Sequence, residues 1–204
     1  MERPGQIVCV GRNYREHAKE MGNDVPTEPL LFLKPRSCVV GAGAAIELPV
    51  GAGRVDFEGE VGIVIGSHLR KATAAACAAA VRGIVAANDV SAREWQKNDG
   101  QWARAKGSDT FLPLGAESDA PRDLSALTVV TRLNGVEKQR ASTSELVFPI
   151  PILLEYITRF ITLEAGDLVL TGTPAGVTAL SHGDVVEVEI VGYSAVKNPV
   201  VALT

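Results

Sequence analysis

The apolar runs of this chain are short, and glycine or proline ends most of them. QIVCVG (6–11) reads as a buried strand ending at Gly11, and LLFLKP (30–35) as a strand stopped by Pro35. RVDFEGEVGIVIG (54–66) alternates and then turns fully apolar, the pattern of a strand entering a core. IVAANDVSA (84–92) reads as a strand that ends in polar residues, and DVVEVEIV (184–191) as a late strand. LTVVTRL and VEKQRAS flank Asn134-Gly135, the strongest short hairpin signal. EAGD turns the chain into DLVLTGTP (167–174), and NDVPTEP (23–29) is irregular. Three segments read as helices. One is 12–22, with Asn13 as N-cap, Glu16 three residues later and Gly22 as C-cap. The others are 72–83, rich in alanine, and 149–162, with a proline start. No GxGxxG follows a strand and no Walker motif occurs. The expected fold class is mainly β with peripheral helices, a mixed β-sandwich or β-roll. The 204 residues fit one domain, with no internal repeat or linker.

Composition narrows the partners. A net charge of -4 argues against nucleic acid and anionic membrane. An anionic substrate stays open, because a bound metal inverts the local charge. Cys9, Cys38 and Cys77 are odd in number, widely spaced and set among apolar residues, without a CxxC. They read as core thiols of a protein in a reducing, cytoplasmic compartment. The start MERPGQIVCV lacks the pattern of a signal peptide. The apolar run 74–85 contains Arg82 and is too short to span a bilayer.

Five constellations can carry chemistry. On a continuous strand Asp56, Glu58 and Glu60 would share one face, at the mouth of the core that VGIVIG enters. Such a row suits Mg²⁺ or Mn²⁺, or is simply an exposed acidic face. Asn88-Asp89 could add another carboxylate, with Arg93 offering a planar fork to a substrate carboxylate and Gln96 nearby. The same segment also reads as an Asx turn or N-cap, with Asp89 or Ser91 starting a helix through 92–98. His17 and Glu20 lie three apart on a helix, either as a water-activating pair or as an ordinary surface pair. Lys106, in RAKGSDTFLPLG, reads as a loop lysine that could neutralise an enolate or a carboxylate. LTGTPAGV (170–177) is a turn whose amides and Thr173 hydroxyl could grip a carboxylate. His68 and His182 sit in turn-like contexts and read as structural or exposed.

Together these segments resemble one family. VGRNYREHAKEM, LFLKP, DFEGEVGIVIG, NDVSAREWQ, AKGSDTFLPLG, NGVEKQ and LTGTPAGV occur in the order found in the fumarylacetoacetate hydrolase family. The likeness is to its acylpyruvase and oxaloacetate decarboxylase branch and to the related homoprotocatechuate-pathway isomerase/decarboxylases. It runs from about residue 6 to 195. The resemblance implies the mixed β-roll of that family's C-terminal catalytic domain, a homodimer, and Mg²⁺ or Mn²⁺ held by Glu58, Glu60 and Asp89. It implies a lid, at residues 12–29, bearing the His17–Glu20 pair. It places Lys106 in the active site and Arg93, Gln96 and Thr173 near the substrate. The chain opens directly on the catalytic domain, so the resemblance also argues against fumarylacetoacetate itself as substrate.

The expected activity is metal-dependent cleavage of a small 2-oxo acid through the enolate of pyruvate. That covers hydrolysis of an acylpyruvate and decarboxylation of oxaloacetate. The alternative within enzymes is isomerisation or tautomerisation of a 2-hydroxydienoate or of oxaloacetate enol. The alternative outside them is a non-catalytic module that binds a metal or a small acid.

Overall fold

A computed structural model describes residues 4–22 and 24–204. In chain order the first elements are β1 (Ile7–Gly11), α1 (Arg15–Glu20), β2 (Leu30–Leu33), β3 (Val39–Val40), β4 (Ile46–Leu48) and β5 (Val55–Asp56). Then come β6 (Gly59–Ile65), α2 (Ala74–Ala79), β7 (Val81–Asn88), β8 (Ser91–Ala92), α3 (Arg93–Asn98), α4 (Ala103–Gly107) and β9 (Leu112–Pro113). The last are β10 (Ser118–Asp119), β11 (Thr128–Leu133), β12 (Val136–Ser142), α5 (Ile150–Thr158), β13 (Leu168–Leu170), β14 (Val185–Ile190) and β15 (Ser194–Ala202). The mainly β fold class expected from sequence is the one observed.

A six-stranded sheet in the order β10-β7-β6-β13-β1-β2 carries the core on both faces. Alternation along β6 sends Val61, Ile63 and Ile65 to one face and Val64 to the other. The first face packs on α5 through Leu153, Leu154 and Ile157, and on Val129, Val188 and Ile190 of a five-stranded sheet, β12-β11-β14-β15-β4. The second face, to which Ile7 and Cys9 of β1 also turn, packs on Phe57, Phe111 and Leu112. With both faces covered, β6 is buried along its whole length, which is why VGIVIG carries no polar residue. The three cysteines are free and buried, as their apolar settings suggest. No helix among the described residues is long and apolar enough to cross a membrane.

Asn134 and Gly135 take positive φ, 53° and 79°, and close the β11–β12 hairpin as expected. Other boundaries differ. Residues 54–66 are not one strand. β5 pairs with β8, the chain breaks at Phe57-Glu58 where the Phe57 amide bonds to the Thr178 carbonyl, and β6 starts afresh in another sheet. Asp56 therefore does not share a face with Glu58 and Glu60 by alternation. The helix in 72–83 stops at Ala80 because Val81 already pairs with Ile65. Lys106 stands on the short helix α4, not in a loop.

Asn13 is not an N-cap. The N-cap position falls to Tyr14, while the Asn13 side chain accepts the Phe148 amide at 2.8 Å and donates to the Thr171 carbonyl at 2.8 Å. Neither Asp89 nor Ser91 caps α3, whose N-cap is Ala92. The strand β15 has no counterpart in the sequence reading. The proposed lid is partly tied down: Tyr14, His17 and Ala18 are buried, with Tyr14 in the core, while residues 19–22, 24 and 25 are exposed. Asn23 lies outside the described residues.

The two large sheets meet closely at Gly59. A Cβ there would fall 1.9 Å from the Thr131 hydroxyl oxygen. Gly59→Ala must turn the buried Thr131 side chain aside or shift the strand that carries Glu58 and Glu60. The expected cost is about 1–3 kcal/mol of stability, read by urea denaturation. A wild-type midpoint would show that the sheets yield there freely.

Candidate metal centre

Pairing of β6 with β7 assembles the acidic residues. Gly59 lies opposite Asn88, whose side-chain oxygen accepts the Glu58 amide at 2.9 Å. The next amide, from Asp89, donates to the Glu58 carbonyl at 2.8 Å. Ligand oxygens of Glu58, Glu60 and Asp89 come within 4.8 Å of one another, and all three residues are buried. The exposed acidic face that the sequence left open is thereby ruled out.

Three buried carboxylates this close repel one another strongly, and basic side chains converge on them. Lys106 donates to Glu58 Oε2 and Asp89 Oδ2, each at 2.7 Å. Lys34, immediately after β2, donates to Asp89 Oδ1 at 2.7 Å and to the Lys106 carbonyl. Arg93 Nη1 lies 2.7 Å from Glu58 Oε1, and its Nε donates to Asp56 Oδ2 at 2.8 Å. Asp56 also takes Arg54 at 2.7 Å, so its role is to anchor Arg93 from behind.

This wiring divides the acids. Burial opposes the charge on Glu58, but Lys106 and Arg93 outweigh it and hold the carboxyl well below its ordinary range. Glu60 has no such cation bonded to it, only the Gly172 amide at 2.7 Å. Burial pushes it well above the ordinary range, and the Asp89 and Glu58 charges push it further. On Lys106, burial disfavours the charge, yet Asp89 and Glu58 raise its pKa overall and keep it an ammonium. An all-oxygen donor set with one under-compensated carboxylate fits a hard divalent cation such as Mg²⁺ or Mn²⁺. Glu58, Glu60 and Asp89 are the residues that would hold it.

A cavity of about 470 Å³ opens on this cluster. Glu58, Glu60, Lys106, Arg93, Gln96 and Thr173 line it, with His17, Arg12, Lys97, Phe32 and Trp102. Asp89 is buried behind Lys106. Gln96 accepts from Arg93 Nη1 at 2.9 Å, and the buried Arg93 Nη2 has no partner among the described residues. The Thr173 hydroxyl donates to the Gly59 carbonyl at 3.0 Å and accepts from Gln139 at 2.8 Å, so it braces the strand start as well as lining the cavity. His17 Nδ1 lies 3.2 Å from Glu20 Oε2, and the other Glu20 oxygen accepts the Gly176 amide at 3.0 Å. The pair is thus tied to the LTGTPAGV turn and is not a free surface pair. His68 and His182 are at the surface, away from the cavity.

The nine residues that the resemblance assigned to the site, His17, Glu20, Glu58, Glu60, Asp89, Arg93, Gln96, Lys106 and Thr173, lie together in this region. Sequence reasoning missed Lys34, Gln139 and Arg12. Lys34 had a weak signal, a lysine between an apolar strand and a proline. Gln139 and Arg12 had none beyond lying in quoted motifs.

Fold and site together define a β-rich domain built around a buried acidic cluster at the mouth of a cavity. The chain belongs to the fumarylacetoacetate hydrolase family: the model for the fumarylacetoacetate (FAA) hydrolase C-terminal region matches residues 6–201. Protein Rv2993c of Mycobacterium tuberculosis is 45% identical, across 96% of this chain and 75% of its own. The mitochondrial oxaloacetate tautomerase FAHD2A of Bos taurus is 39% identical, across 98% of this chain and 67% of its own. A crystal structure of 5-carboxymethyl-2-hydroxymuconate delta-isomerase from Mycobacterium smegmatis superposes with a TM-score of 0.91 at 42% identity. It covers 99% of this chain and 80% of that one.

Glu60→Gln removes the under-compensated carboxylate while keeping its shape and the Gly172 contact. Mn²⁺ affinity, measured by calorimetry, is expected to fall by more than the ~10–100-fold typical of losing a hydrogen-bonding partner behind a ligand. Undiminished Mn²⁺ binding by a folded variant would remove Glu60 from the centre.

Proposed function

We propose that this protein is a Mg²⁺- or Mn²⁺-dependent enzyme that enolises small 2-oxo acids, acting foremost as a keto–enol tautomerase or isomerase. The observation that carries the reading is the cavity itself, where Glu58 and Glu60 face the same space as Arg93, Lys106 and His17. The names of two relatives, an oxaloacetate tautomerase and a hydroxymuconate isomerase, support this choice of reaction. A divalent cation bound by Glu58, Glu60 and Asp89 would supply Lewis-acid charge to the oxygens of a 2-oxo acid.

The chain's own groups do the rest. Arg93 lines the cavity with its Nη2 still lacking a partner and its other nitrogens fixed by Asp56, Glu58 and Gln96, so a small shift of the guanidinium would offer Nη2 to the substrate carboxylate. Lys106 keeps its charge and presents an ammonium to the negative charge that develops on the keto oxygen. His17, oriented by Glu20, is within the cavity and can take a proton from C3 or return one. Phe32 and Trp102, ring to ring at 5.3 Å, form an apolar wall that keeps water from the enolate.

The test follows the ketonisation of freshly generated oxaloacetate enol by loss of its absorbance. Acceleration with Mg²⁺ or Mn²⁺, abolished by excess EDTA, is expected. No rate above buffer with either metal would reject the reading.

A second reading, hydrolysis of an acylpyruvate, rests on the fixed His17–Glu20 pair, which suits activation of a water. Under it, His17→Ala lowers acetylpyruvate hydrolysis by about 10²–10⁴-fold while metal-dependent decarboxylation of oxaloacetate persists. Release of a second acid or CO₂ distinguishes cleavage from tautomerisation. Equal rates in His17→Ala and wild type would place the pair outside the chemistry.

A further inference from the structure

Arg12 stands between two fixed points. Gly11 closes β1, paired with Leu30 of β2. Asn13 is fully buried and locked by its side-chain bonds to Phe148 and Thr171 and by the Val147 amide on its carbonyl at 2.8 Å. The chain must turn sharply between them, and Arg12 makes the turn with φ 60°. That left-handed conformation is unfavourable for arginine and free for glycine. Strain of this kind, when found at a cavity, points to a side chain retained for what it does there.

The Arg12 side chain is half-buried and lines the same cavity as Glu58, Glu60 and Arg93. Unlike Arg93, Lys34 and Lys106, it has no hydrogen bond or ion pair with another described residue. A guanidinium held in a cleft with its fork unoccupied suits a carboxylate, which it binds with two parallel bonds. The carboxylate next to the keto group falls to Arg93 and to the cation that Glu58, Glu60 and Asp89 would hold, so Arg12 is left for one at the far end.

We infer that Arg12 selects dicarboxylates: it receives the distal carboxylate of a 2-oxo diacid whose 2-oxo end lies at Glu58, Glu60 and Arg93. This rests on the enolisation reading for the identity of the 2-oxo end. It is tested separately, by binding. Lys97 also lines the cavity but is exposed on α3 and not fixed by its backbone, so it is the weaker candidate.

The experiment compares oxaloacetate with 2-oxobutyrate, which replaces the distal carboxylate by a methyl group. Dissociation constants are measured by calorimetry with Mn²⁺ present, for wild type, Arg12→Gly and Arg12→Asn. Asparagine tolerates the left-handed turn, so one variant keeps a side chain at the position. Wild type is expected to prefer the diacid. Both variants should lose that preference by tenfold or more, bind 2-oxobutyrate as before, and melt at or above the wild-type temperature because the turn is relieved. An unchanged ratio of the two constants, or equal weakening of both acids, overturns the assignment. A preference that disappears in the variants while wild type shows no turnover would keep Arg12's role and reject the enolisation reading instead.

Discussion

Three carboxylates buried within 4.8 Å of one another are the constraint around which this protein is arranged. Uncompensated, they would repel strongly enough to open the fold or take up protons. Lys34, Lys106 and Arg93 reach them from three separate stretches of chain, the two lysines buried and Arg93 mostly so. The compensation is unequal. It saturates Glu58 and Asp89 and leaves Glu60 with a single amide. The folded chain therefore keeps one acidic edge turned toward the cavity, which sets the cluster apart from a buried ionic network in which every carboxylate is paired.

That arrangement requires backbone placement finer than side chains alone achieve. Asn88 holds the Glu58 amide, Gln139 holds the Gly59 amide, and Thr173 holds the Gly59 carbonyl. Three elements thus grip Glu58 and Gly59, where β6 begins. The absence of a side chain at Gly59 lets β11 press against that point. The placement of the acidic cluster and the packing of the sheets share the same residues, so neither can be altered alone.

Much of this was legible in the sequence, for identifiable reasons. The Asn134-Gly135 turn and the β6 run are local signals, and local signals survive into the structure. The acidic row was found but assigned by uninterrupted alternation, which the break at Phe57-Glu58 resets; Asp56 ended as the anchor of Arg93 instead. β15 was hidden because its inward positions include Ser194 and Asn198. The Asn198 side chain bonds the Gly41 and Ala44 carbonyls, and Ser194 bonds the Ala116 carbonyl. A strand whose buried residues are polar shows no apolar period. Lys34 escaped notice because a buried lysine is recognisable only with its carboxylate, and that carboxylate is Asp89.

The sheet order has a consequence for how such a chain is made. β13, which follows both β1 and β6 by more than a hundred residues, lies between them in the sheet and joins them. Until residues 168–170 have left the ribosome, β1 and β6 each present an unsatisfied, apolar strand edge to whatever is nearby. The turn after β13 also carries the Gly172 amide that Glu60 needs. The centre therefore cannot assemble on a growing chain. It completes only once residues 168–172 have emerged, and the interval before that is when the nascent protein depends most on being shielded from other chains.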